Sequence, residues 1–123
     1  MDSILLSVKK ALGIDSECTD FDTELIMHIN TVLSTLTQIG VGSEDGFVIS
    51  GAEERWSDFV ADEPKWSQIR TYVYTKVRLI FDPPQGTAVV EAMNKVANEL
   101  EWRLYVIADN LRKEKEENQN GEV

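Results

Sequence analysis

The segment between Leu25 and Ile39 constrains the fold most. Leu25, Ile26, Ile29, Val32, Leu33, Leu36 and Ile39 recur at helical spacing, which gathers them into one apolar stripe along one side of a helix. Such a helix is stable only when its stripe is covered, and the segments available to cover it are helical too. Ser3 to Leu12 carries Ile4, Leu5, Val8 and Leu12 on one face, with Gly13 placed as a C-terminal cap. Pro64 sits where the first turn of a helix tolerates proline, and that helix is expected to run to Phe81 with Trp66, Ile69, Val73, Val77 and Ile80 on its buried side. Asp82-Pro83-Pro84 stops it, because proline restricts the residue before it and cannot continue the hydrogen-bond ladder. From Thr87 the spacing of Val89, Met93, Val96, Leu100, Leu104, Ile107 and Leu111 alternates between four and three, the mark of a last amphipathic helix. The fold class is therefore all-α: a small helical bundle with a long final helix.

Connections carry the remaining signals. Phe21-Asp22 reads as a hydrophobic staple followed by an N-cap, with Phe21 packing on Ile26. Glu53 to Val60 forms a short helical turn bearing Trp56 and Phe59. Between Gly40 and Gly51 lie four of the seven glycines, enclosing Ser43-Glu44-Asp45 and the triplet Phe47-Val48-Ile49. This is a long Gly-rich loop arm with room for a short β-hairpin, and loops of that length without regular structure tend to be functional. The triplet either tucks onto the core or contacts a partner.

The last helix offers a second candidate contact. Drawn from Thr87 to Lys113 it is ~40 Å long, more than the diameter of a compact domain of this size, so part of it projects. Trp102, Tyr105 and Val106 fall roughly 140 to 240 degrees from Leu100 on the helical wheel. A second apolar face of this kind commonly serves a second protein. The candidate interface is thus Phe47, Val48, Ile49, Trp102, Tyr105 and Val106. Residues 1–112 are expected to form one domain, and 113–123, rich in Lys and Glu and then polar, a disordered tail.

Charge and chemistry narrow the function. The 123 residues carry a net charge of −10, which disfavours tight binding to nucleic acid or to anionic membrane surfaces. The charge is divided. Residues 14–63 hold 12 acidic side chains against Arg55 alone, whereas residues 64–113 hold 5 acidic and 8 basic ones, an asymmetry that suits head-to-tail contacts between copies. Cys18 is the single cysteine and His28 the single histidine, so an internal disulfide is impossible and a His-rich metal site is absent. His28 follows Glu24 by one turn and reads as an exposed ion pair. No phosphate-binding loop, nucleophile elbow or calcium-loop pattern occurs, so neither catalysis, cofactor nor metal is expected. Arg70, Lys76 and Arg78 interleaved with Tyr72 and Tyr74 read as a solvated edge beside core aromatics. No run of apolar residues is long enough to span a bilayer and no N-terminal stretch has the form of a signal peptide, so the chain is expected to stay in the reducing compartment where it is made.

The order of motifs goes further. Val8-Lys9-Lys10-Ala11-Leu12-Gly13-Ile14, Asp20-Phe21-Asp22-Thr23-Glu24-Leu25, the Thr35-to-Gly40 stretch ending in Gly-Val-Gly, the Trp66-to-Phe81 helix closed by Asp82-Pro83-Pro84, and Glu99-Leu100-Glu101-Trp102-Arg103-Leu104 follow one another along nearly the whole chain. In this the chain resembles the small head-tail connector proteins of long-tailed bacteriophages. The resemblance implies a structural virion protein, made in the bacterial cytoplasm and placed in the neck. It further implies a ring of about a dozen copies beneath the portal protein, a downstream neck or tail completion protein as a further partner, and DNA passing through the channel without sequence-specific binding. The rival reading is a small acidic regulatory or inhibitor protein that binds one protein target.

Overall fold

Ser3 starts the first helix: its hydroxyl oxygen accepts from the Leu6 N–H at 3.3 Å while its backbone is extended. In the computed structural model, which describes residues 2–121, five α-helices follow in order. They are α1 (Ile4–Ala11), α2 (Asp22–Gln38), α3 (Trp56–Phe59), α4 (Ile69–Phe81) and α5 (Thr87–Gly121), with a 3-10 turn at Glu63–Trp66 before α4. The all-α reading and the long final helix hold. In place of a β-hairpin, the extended pairing among the described residues is a single antiparallel bridge between Ser3 and Arg55. There Ile4 N–H donates to Glu54 O and Trp56 N–H to Asp2 O, both at 3.0 Å.

The glycine stops behave as the sequence implies. After α1, Gly13 at φ +77° donates to Lys10 O, and Ile14 donates to Lys9 O at 2.8 Å. After α2, Gly40 at φ +102° donates to Thr37 O, and Val41 donates to Leu36 O at 2.9 Å. Both ends form the double bond pattern that satisfies the last orphan carbonyls and requires a left-handed residue. Val41 and Leu36 are both buried, so the second cap also carries the hydrophobic contact that usually accompanies the motif.

The core is built from Ile4, Leu5 and Val8 of α1, Leu25, Ile29, Val32, Leu33 and Leu36 of α2, and Ile69, Tyr72, Val73 and Val77 of α4, all buried. Phe21 meets Phe81 edge to face at 5.5 Å, which places the start of α2 beside the end of α4. This corrects the N-cap expectation. Phe21 occupies the cap position without a side-chain bond, and Asp22 is the first helical residue, because its carboxylate faces Lys9 at 2.9 Å instead of the helix N-terminus.

The helix expected from Pro64 is interrupted. A 3-10 turn ends at Trp66, and α4 begins anew at Ile69. Glu63 explains the bend: its carboxylate receives Arg70 Nε at 2.6 Å and Nη2 at 2.8 Å, a bidentate pair across the break. That pairing holds the Glu63 carboxyl below the ordinary value of 4.5 despite partial burial. Arg70 also lies over the Trp56 ring at 5.4 Å. On α4, Tyr72 takes the buried place expected for Ile80, which is exposed in the last turn.

On α5 the buried line is Ala97, Leu104 and Ala108, with Leu100, Ile107 and Leu111 packed beside it. Val89 and Val96 are exposed, so the predicted stripe overruns the bundle. At Ala108 a small residue is needed because α5 approaches closely: a Cβ added at Gly40 would stand 3.1 Å from the Ala108 Cβ. Tyr72 ties the helices together by donating its hydroxyl to Glu101 Oε1 at 2.9 Å. Burial and that carboxylate push the phenol well above its usual range. With 35 residues α5 spans ~52 Å at 1.5 Å per residue. It continues through Gly121, beyond the Lys113 end read from sequence and across most of the segment read as a disordered tail. Asp109 to Arg112 at 2.8 Å, Asp109 to Lys113 at 3.1 Å and Arg112 to Glu116 at 2.8 Å bridge successive turns there. Residues 122 and 123 of that segment lie outside the described residues.

Candidate protein-interaction surface

Gly42, Gly46 and the glycine cap before them let the loop turn three times with positive φ, and its far limb returns across α2. Asn30 fixes that limb. Its amide nitrogen donates to Ile49 O at 3.0 Å and its carbonyl accepts the Ile49 N–H at 2.8 Å, so one side chain serves both backbone groups as a neighbouring strand would. Glu54 clips the next residues, accepting from Ser50 N at 2.8 Å, Ser50 Oγ at 2.9 Å and Gly51 N at 3.3 Å. These donors, the Ser50 N–H foremost, hold the Glu54 carboxyl below its ordinary value.

With Ile49 so held, the triplet alternates as an extended segment does. Ile49 is buried, 2% exposed, and Phe47 is half-buried with its ring 5.4 Å from Phe59. Val48 points out, 68% exposed. Of the three loop candidates, one reaches the surface and two pack inward. Three consecutive apolar residues gave no signal for this split, and Asn30 left none either, since a polar residue beside an apolar stripe is ordinary. Replacing Asn30 with alanine is expected to cost about 1–3 kcal/mol, the penalty of leaving two partly buried backbone groups unpaired. Amide exchange checks this: protection at Ile49 should fall far more than protection in α4.

The three α5 candidates sit together. Trp102 is 64% and Tyr105 43% exposed, and their rings stack at 5.7 Å with 27° between planes. Val106 is half-buried. Glu99 and Arg103 pair beside them at 2.7 Å. Asp109 follows one turn later, its carboxyl held low by Arg112 and Lys113. Tyr105, Ala108, Asp109 and Arg112 form one wall of an open groove of about 840 Å³, whose opposite side is the end of α2 with Gly42 and Phe59. The loop triplet does not line this groove, so the six candidates fall on two separate patches.

Neither patch assembles chemistry of the catalytic kind. His28 Nε2 lies 3.5 Å from Glu24 Oε1, as the sequence spacing implied, and faces the Phe81 ring. Cys18 is a half-buried free thiol. Among the described residues no group of three His, Cys, Asp or Glu side chains could hold a metal ion, and no helix is long and apolar enough to cross a membrane. What the patches offer is exposed aromatic and aliphatic area on rigid supports, the composition of protein contacts.

A family model described as phage connector protein matches residues 4–111. The chain belongs to that family. The match takes in α1 to α4, α5 as far as Leu111, and both candidate patches, and it accords with the head-tail connector resemblance of the motif order. No curated protein and no solved structure matches the chain. Membership makes the connector a virion-associated protein that works against other phage structural proteins such as portal or tail components, and it points to a structural role rather than an enzymatic one.

Proposed function

We propose that this connector forms a ring of about a dozen copies beneath the portal, receives a downstream neck or tail completion protein, and lines the channel through which DNA leaves the head. The observation that carries the reading is the family match over residues 4–111. The chain's physics supports it. A net charge of −10 repels the phosphate backbone, so DNA slides past without being held. The exposed Trp102, Tyr105 and Val48 supply apolar area for neighbours in the neck. Synthesis in the host cytoplasm followed by incorporation at the neck completes the reading.

Native mass spectrometry of the protein, alone and mixed with the portal protein of the same phage, tests it. A ring-sized oligomer in either sample is the expected result. A monomer or dimer that ignores the portal overturns it, and a defined stoichiometric complex with a single soluble target would establish the regulatory-binder alternative.

A further inference from the structure

A notch of about 240 Å³ opens beside the loop, lined by Ser34 and Thr37 of α2 and by Asp45, Gly46, Phe47 and Val48. It is smaller than the ~300–1,000 Å³ of small-molecule sites and on the scale of one large side chain. Among the exposed large apolar side chains, Trp102 is the largest. Trp102 is 64% exposed, and its ring contact is with Tyr105 on its own helix; it does not line the notch of its own chain. Tryptophan seated in a small pocket is the commonest kind of anchor at protein contacts.

The margins of the two features are complementary. Asp45 lines the notch, is exposed and makes no ion pair among the described residues. Lys95 lies two turns before Trp102 on the same line of α5 and is likewise exposed without an ion pair among the described residues, while Arg103 next to the tryptophan is already paired with Glu99. An unpaired carboxylate at the socket and an unpaired lysine on the knob's line of α5, in a chain whose residues 14–63 are strongly acidic and whose residues 64–113 are on balance basic, favour a second copy of this chain as occupant.

We propose that Trp102 of one copy seats in the notch beside Val48 of the next, with Lys95 facing Asp45. The contact uses different surfaces on the two copies, so it is heterologous and propagates around a closed ring. This inference rests on the ring reading and specifies which faces meet in it. It also gives the two separated patches one role, as the two sides of a single contact.

Placing the photo-cross-linking residue p-benzoylphenylalanine at position 102 tests the seating directly in the assembled ring on its portal. The expected adduct joins position 102 to the peptide carrying residues 34–48 of a sister chain. Adducts to the portal alone, or to another part of the sister chain, overturn the inference while leaving the ring intact. Absence of any ring from the unsubstituted protein overturns the ring reading and this contact together. As a second measurement, Trp102→Ala and Val48→Glu are each expected to lower the assembled fraction about tenfold, and the double variant no further than the worse single, since both remove the same contact. Far-UV circular dichroism should show all three folded as the parent. Additive losses would overturn the pairing.

Discussion

Trp56→Ala is expected to lower the unfolding free energy by about 3–5 kcal/mol, the range for truncating a fully buried large aromatic. Trp56 is wholly buried, and it touches several separate parts of the chain. Its indole N–H donates to Ser7 Oγ of α1 at 3.2 Å, its ring meets Tyr74 of α4 edge to face at 6.2 Å, and Arg70 covers the ring from the side. Its backbone N–H holds Asp2 O, the join between the N-terminus and the end of the loop. Alanine keeps only the backbone bond. The void would lie between α1 and α4, which cannot close over it while the Glu63–Arg70 pair holds the start of α4. For a chain of this size the loss corresponds to a melting temperature lower by about 10–20 °C. Trp56→Phe separates the contributions: it retains most of the ring and drops the N–H, so a loss of about 1–2 kcal/mol is expected. Urea unfolding with an unchanged m-value provides the measurement, and a Trp56→Ala loss below about 2 kcal/mol would mean that the core closes around the gap.

The same region shows what a sequence conveys and what it withholds. The α2 stripe, the glycine caps at Gly13 and Gly40 and the stop at Asp82-Pro83-Pro84 are local signals: each depends on one helix period or one backbone conformation, and each is where the sequence put it. The break after Trp66 is not local. It follows from Glu63 reaching Arg70, a side-chain pair that periodicity does not see. The α5 stripe held at Leu100, Leu104, Ile107 and Leu111 but not at Val89 and Val96. Counting large apolar residues also puts Val89 and Val96 on the buried side, but both are exposed while Ala97 and Ala108 are buried, Ala108 where α5 comes close to Gly40.

The interaction surface divides along the same line. Trp102 and Tyr105 were legible because an exposed aromatic off the core stripe needs only the helical wheel to be noticed. The loop triplet was ambiguous because its direction depends on Asn30, nineteen residues from Ile49. Once Asn30 pairs with Ile49, alternation forces Val48 outward and the notch forms between it and α2. The outward face of the loop is therefore a consequence of one amide on a neighbouring helix. A loosened clamp would blur the socket before it unfolded the bundle, which is why Ile49 exchange is the sensitive readout for that substitution.

Lys9→Met is expected to cost about 3–5 kcal/mol, as for breaking a buried charged pair from one side. Lys9 is only 1% exposed, although the sequence around it reads as an ordinary basic end to a surface helix. Its ammonium donates to Cys18 O at 2.6 Å and Ser16 O at 3.1 Å, and Asp22 Oδ1 stands 2.9 Å away as an ion pair without hydrogen-bond alignment. One cation thus gathers the connection between α1 and α2 around itself. That connection holds Asp15, Glu17 and Asp20 and no other basic residue. Methionine matches the stem in size, so packing survives and the loss measures the polar head: two carbonyls without a donor and a carboxylate without its counter-charge. Asp22→Asn should cost less, about 1 kcal/mol, because Asp22 is a quarter exposed and water can take over part of its role. The ranking is the test. If Asp22→Asn proves as costly as Lys9→Met, the ion pair dominates; if Lys9→Met costs under 1 kcal/mol, the connection finds other partners and the buried lysine does not organise it. The loss should be largest at low salt, where the acidic residues of the connection repel one another unscreened.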